Sequence, residues 1–140
     1  MSDPVLDRLD LCGPYRLTVD RLDSLKTHCA TRGWRHIEVR PGPDSRNTES
    51  WLHDLGHALA LPAYFGANFD ALYDSLCDHE CLPDPGLLLI FPDLGALDEA
   101  ATDTLIAVLQ AAADEWREEG RRLWTLITAP GIDLDPLPRA

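Results

Sequence analysis

The chain has 140 residues, 45% of them hydrophobic, and carries 24 Asp plus Glu against 12 Lys plus Arg, a formal charge of −12. That length suits one domain with a sizeable core, and the acidic balance disfavours nucleic acid and anionic lipid while it favours basic partners. No stretch reaches the roughly 20 apolar residues of a membrane span, and the opening Met1-Ser2-Asp3-Pro4 is unlike a basic secretory leader, so the expected location is the cytoplasm and Cys12, Cys29, Cys77 and Cys81 are expected to be free thiols.

Residues 15–19 place Leu17 and Val19 in alternation with polar neighbours, the pattern of a short strand. Asp20 stands where it can cap a helix running to about His28, with Leu22, Leu25 and Cys29 at helical spacing and Gly33 as the stop. Residues 34–40 alternate again, as a strand, until Pro41-Gly42-Pro43-Asp44 breaks it. A helix is predicted from Thr48 or Ser50 to Ala60, with Leu52, Leu55 and Leu59 on one face and Pro62 ending it.

The next helix is predicted over 68–77. Asn68 is its N-cap, because an amide oxygen there can accept a free first-turn N–H; Phe69, Leu72 and Leu76 form its buried stripe. Residues 78–85 read as a loop. Residues 86–91 are a continuous apolar run, as in a strand covered on both faces. A long helix over 98–119 turns Leu105, Leu109, Ala112 and Trp116 inward and stops at Gly120; the last strand is 123–128. The proline-rich tail, 129–140, is expected to be loosely ordered. Strands separated by helices give an α/β domain with a small parallel sheet, and right-handed crossovers put Phe91 and Thr128 at one end of it.

One helix face stands out. Asp70, Asp74 and Asp78 are spaced i, i+4, i+8 on the side away from Phe69, Leu72 and Leu76, with Tyr73 at the boundary. Like charges at that spacing cost a helix a few tenths of a kcal/mol per pair. Only Asp70 lies near the N-terminus, where the helix dipole offsets that cost. Local stability therefore does not account for Asp74 and Asp78. The plain alternative is a solvated face; the functional one is a surface built to meet a cation.

The motif Leu61-Pro62-Ala63-Tyr64-Phe65-Gly66-x-Asn68-x-Asp70-Ala71-Leu72-x-Asp74-x-Leu76 resembles the signature of the barstar family, small intracellular inhibitors of secreted bacterial ribonucleases. The likeness extends over residues 34–128, through the apolar strand, the long helix ending Glu119-Gly120 and the final strand. It implies a barstar-like sheet of three parallel strands packed with helices. It also implies a protein without catalytic residues, cofactor or metal, monomeric when free, that plugs the active site of a basic bacterial ribonuclease in a 1:1 complex by mimicking RNA phosphate. Carried over, Asp74 is the central anion and Asp70 a second carboxylate. Tyr64 is an aromatic that packs on the enzyme's catalytic histidine, Asn68 a polar contact, and Tyr73 stands where the type member has tryptophan. Glu115, five residues before Gly120, is an acid on the long helix that pairs with an enzyme arginine; Asp78 extends the acidic face. Two departures accompany the resemblance. The 78–85 loop is about three residues longer than in the type member and lacks its Gly-Trp pair. Residues 1–33 have no counterpart in the minimal family member and read as an added strand and helix, with the strand as a possible fourth at a sheet edge.

Two other readings are open. One is an immunity protein for a nuclease of another fold, using the same acidic face. The other, from a different class, is a metal-binding protein or enzyme on Cys77, His79 and Cys81, with His28-Cys29 to complete four ligands. His53 and His57 sit at i, i+4 but lack the glutamate of a zinc protease motif. Trp34, Trp51, Trp116 and Trp124 read as core or interface fillers, and the net charge weighs against a nucleic-acid stacking platform.

Overall fold

A computed structural model describes residues 3–62 and 65–139. Its elements are β1 (Pro14–Arg16), α1 (Leu22–Arg32), β2 (Arg35–Glu38), α2 (Thr48–Ala58), α3 (Phe69–Leu76), β3 (Gly86–Phe91), α4 (Glu99–Glu118) and β4 (Arg122–Ile127), with short 3₁₀ turns at Pro4–Asp7, Leu9–Leu11 and Val19–Arg21. The four strands form one parallel sheet in the order β1-β4-β3-β2. Phe91 is in register with Ile127, and the Thr128 N–H donates to the Phe91 carbonyl at 3.1 Å, so the two strands end together as expected.

The apolar run of β3 is buried at every position because both sheet faces are covered. Side chains alternate along a strand. Leu87, Leu89 and Phe91 therefore enter a core with α2, α3 and α4 that holds Trp51, Leu72, Leu109 and Trp116. Leu88 and Ile90 point the other way, with Trp124 and Leu126, into a second core closed by Val5, Leu6, Leu25 and Cys29. The added N-terminal segment thus supplies the fourth strand at the sheet edge and also most of the cover of the back face, which Leu137 of the tail completes. Burial there pushes the Cys12 and Cys29 thiols up to about 11, and all four cysteines are free.

Some boundaries differ from the sequence expectation. β1 ends at Arg16, and Val19 lies exposed on a 3₁₀ turn. Asp20 does not cap α1; it sits within that turn, and Arg21 precedes the helix without a side-chain cap. α1 runs on to Arg32 and stops at Gly33, whose φ of 72° is left-handed, the conformation glycine adopts at no steric cost. The tail does not hang free. The Arg16 N–H donates to the Asp135 carbonyl at 3.0 Å, and the Leu137 N–H donates back to Arg16 at 3.1 Å, covering the open edge of β1. Leu137 is buried in the second core, and the Arg21 guanidinium holds the Leu137 and Pro138 carbonyls at 2.8 and 3.1 Å. Among the described residues no helix is long and apolar enough to cross a membrane.

Candidate partner-binding face

α3 has only eight residues, too few to stand alone in water. It is held at both ends. At the start, Asn68 Oδ1 accepts the Ala71 N–H at 2.8 Å, the cap that the sequence predicts. At the finish, the Trp116 indole N–H of α4 donates to the Leu76 carbonyl at 2.8 Å, satisfying an end carbonyl inside the protein. Leu72 and Leu76 are buried, Phe69 and Tyr73 half-buried, and Asp70 and Asp74 exposed one turn apart. The inward and outward faces are therefore those the periodicity implies.

The approach to α3 is shaped by its neighbour. Phe65 lies against Gly56 of α2 so closely that a Cβ at Gly56 would come within 2.7 Å of its ring. Ala67 then turns the chain with a φ of 49° before the cap. Tyr64, the expected aromatic contact, lies outside the described residues.

Asp78 is placed differently from Asp70 and Asp74. The helix ends at Leu76, so Asp78 belongs to the following turn, where its carboxylate accepts the Glu80 N–H at 2.8 Å and the Cys81 thiol at 3.7 Å. Glu115 is exposed on α4 and joins the face. Its charge, with that of Asp74, helps to raise the Tyr73 phenol, whose main perturbation is its hydrogen bond with the Cys77 thiol. Cys77 itself is pushed up first by burial and then by Glu115, Glu119 and Asp74, against the lowering effect of Tyr73. Tyr73, Asp74, Cys77 and Glu115 thus form one neighbourhood across two helices.

The long loop after α3 is anchored by a residue that sequence reasoning missed. Arg121 is buried, with its guanidinium 3.8 Å from the Trp116 ring centroid. Its Nε–H donates to the Asp84 carbonyl at 2.9 Å, another N–H donates to Leu82, and Glu119 lies at 3.2 Å. Asp84 is also gripped by Arg35 through two bonds of 2.7 Å, which hold its carboxyl below the usual range. Glu119 is likewise lowered, chiefly by its hydrogen bond with His79 and then by Arg121.

These contacts also bear on the metal reading. Cys77 meets Tyr73, His79 meets Glu119 and Cys81 meets Asp78, while His28 and Cys29 are buried on the other side of the sheet, with His28 Nε2 2.8 Å from Asp7. No group of three or more His, Cys, Asp or Glu side chains able to hold a metal ion occurs among the described residues. His53 and His57 lie edge to face on α2 with centroids 5.8 Å apart.

The charge distribution carries a further signal. No lysine or arginine occurs between Arg46 and Arg117, a span that holds thirteen of the 24 acids. No ion pair among the described residues uses Asp70, Asp74 or Glu115. The face is thus acidic and not neutralised from within.

Comparison with known proteins gives the family. The sequence model of the family described as Barstar (barnase inhibitor) matches residues 36–128. A Bacillus subtilis (strain 168) protein named putative ribonuclease inhibitor YrdF is 33% identical over 78 residues, which cover 56% of this chain and 86% of that protein.

Proposed function

We propose, from the premise that the chain belongs to the barstar (barnase inhibitor) family, that it inhibits a ribonuclease stoichiometrically and catalyses nothing itself. The target is a secreted or toxin-borne bacterial enzyme with a basic active site, blocked in the host cytoplasm. The observation that carries this reading is the pair Asp70 and Asp74, exposed one turn apart on a short, doubly anchored helix, with Tyr73 and Glu115 beside them and no cation opposing them among the described residues.

The physical logic is phosphate mimicry. A ribonuclease site built to hold RNA phosphate presents arginine, lysine and histidine donors. A carboxylate can accept two parallel N–H bonds from one guanidinium, the geometry a phosphate offers. Asp74, in the middle of the face, takes the central position; Asp70 and Glu115 flank it, and Tyr64, Asn68 and Tyr73 supply surrounding contacts. The acidic field also speeds the encounter with a basic partner, most strongly at low salt.

The test is a titration of a barnase-type ribonuclease with this protein and with Asp74→Ala, at low and physiological salt. Stoichiometric loss of RNA cleavage is expected. The variant should lose about 2–5 kcal/mol of binding, because the enzyme's cations are left buried and unpaired. Losses of that order are known from the barnase–barstar pair itself and stand here as family precedent. Equal inhibition by Asp74→Ala and wild type refutes the assignment of the site.

A further inference from the structure

α2 carries a pair of groups that the acidic face does not use. His53 and His57 lie one turn apart on its exposed side, edge to face, with ring centroids 5.8 Å apart. Among the described residues the histidine side chains that make hydrogen bonds are His28, with Asp7, and His79, with Glu119. The rings of His53 and His57 are thus unengaged. Beside them opens a depression of about 360 Å³, walled by Gly56, Leu61, Pro62 and Phe65.

We propose that His53 and His57 together hold one divalent transition-metal ion, with water in the remaining coordination positions. The site lies on α2, outside the carboxylates of α3, and does not depend on the inhibitor reading. Histidines at i, i+4 share one face of a helix. Once one ring nitrogen binds, the second meets the ion as an intramolecular ligand, at high effective concentration. Two imidazoles on one ion, at metal–nitrogen distances of about 2.0–2.1 Å, have ring centres about 5 Å apart. A small side-chain rotation from 5.8 Å reaches that spacing. Imidazole suits zinc, nickel and copper, whereas magnesium and calcium call for oxygen ligands. Asp54, the nearest acid in sequence, is committed to the Gly42 N–H at 2.9 Å, and no set of three ligands gathers among the described residues, so the protein supplies two ligands and the depression leaves room for water. Its apolar wall lowers the polarity on one side of the ion, which strengthens the attraction of the ligands. The Leu61 N–H donates to the Gly56 carbonyl at 2.9 Å and the Ala60 N–H to the His57 carbonyl at 3.1 Å. An ion tying residue 53 to residue 57 therefore also steadies the turn that ends α2, on which Phe65 packs.

The probe is Ni²⁺, which leaves the free thiols reduced and broadens nearby amide signals. The untagged full chain is titrated by calorimetry and followed by amide NMR beside His53→Gln and His57→Gln, exposed changes whose folding is confirmed by circular dichroism. One equivalent should bind, with a loss of about tenfold or more in affinity for each single variant. Broadening should centre on residues 53–57, and nickel should raise the melting temperature of the wild type more than that of either variant. Cys77→Ser/Cys81→Ser removes the soft ligands of the loop after α3 and should bind nickel as the wild type does. Binding that persists undiminished in both histidine variants, or that is lost with the thiols, overturns the proposal. Broadening centred on His36 or His79, or no binding at all, overturns it equally.

Discussion

Arg121 gives the sharpest test of how the structure anchors the loop after α3. Arg121→Met keeps most of the aliphatic stem and removes the guanidinium. Lost with it are the hydrogen bonds to the Asp84 and Leu82 carbonyls, the contact with Glu119 and the stacking on Trp116. Bonds from a charged donor are worth about 1.5–3 kcal/mol each, and stacking on tryptophan adds about 0.5–2 kcal/mol. The Glu119 contact adds little, since that carboxylate is partly exposed. Against this gross loss of about 4–8 kcal/mol, the variant no longer buries a charge, which returns several kcal/mol at most. The net expectation is a loss of about 2–3 kcal/mol. With a urea slope of about 2 kcal/mol per M, the unfolding midpoint should fall by about 1–1.5 M. Hydrogen exchange should rise first in residues 78–85. Arg121→Lys should recover only part of the loss, because an ammonium cannot reproduce the planar fork. A midpoint change below about 0.3 M for Arg121→Met, or full recovery with lysine, refutes the claim that this guanidinium anchors the loop.

Three further outcomes are expected. Asp7 is lowered to about 2, first by its hydrogen bond with Arg32 and further by His28, against the raising effect of burial. A depressed carboxylate stabilises the fold above its unfolded value near 3.8 and loses that contribution as pH falls toward 2. With its side chain 35% exposed, the contribution is about 1 kcal/mol after screening, and Asp7→Asn should remove the corresponding slope from urea midpoints measured between pH 4 and 2. Gly56→Ala would place a Cβ within 2.7 Å of the Phe65 ring; the clash, typically about 1–3 kcal/mol, outweighs a helix-propensity gain of about 1 kcal/mol, so melting should show a net loss, partly restored by Phe65→Leu. Asn68→Ala removes the α3 cap and should cost about 1 kcal/mol, whereas Asn68→Asp should keep stability within a few tenths in the same melts.

What could be read in advance follows the range of the interaction concerned. The Asn68 cap, the α3 faces and β3 are legible because each is settled within a few residues: an amide next to its N–H, a 3.6-residue period, an unbroken apolar run. The last turn of α3 is harder. The i, i+8 spacing carries Asp78 onto the stripe only if the helix continues, and it stops at Leu76, so that carboxylate serves the loop instead. The tail defeats a local reading for a related reason. Its prolines argue against local structure, yet its order comes from β1 and Arg21, more than a hundred residues earlier in the chain. Arg121 is invisible because its partners are main-chain carbonyls of residues 82 and 84, and a carbonyl leaves no mark in a sequence. The gap in lysine and arginine between Arg46 and Arg117 is plain in the sequence and is the signal that isolates the acidic face from composition alone.

That gap also explains how an acidic protein keeps one face available. Among the described residues, eight of the 12 lysines and arginines are ion-paired, all of them before residue 47 or after residue 116. Several secure the parts that the minimal fold lacks: Arg21 with Asp3 and the tail, Arg32 with Asp7. Several cations thus serve the N-terminal cover and the loop anchor, and among the described residues no ion pair uses the carboxylates of α3. The added segment packs Leu6 and Leu25 on the back of the sheet and meets α4 through Arg117, which bonds to the Leu9 and Cys12 carbonyls, while Asp70 and Asp74 of α3 stay exposed. A field concentrated on one side orients a basic partner as well as attracting it. In that arrangement the ion pairs of the N-terminal cover and the carboxylates of α3 involve different residues, so the cover can vary without altering Asp70 and Asp74.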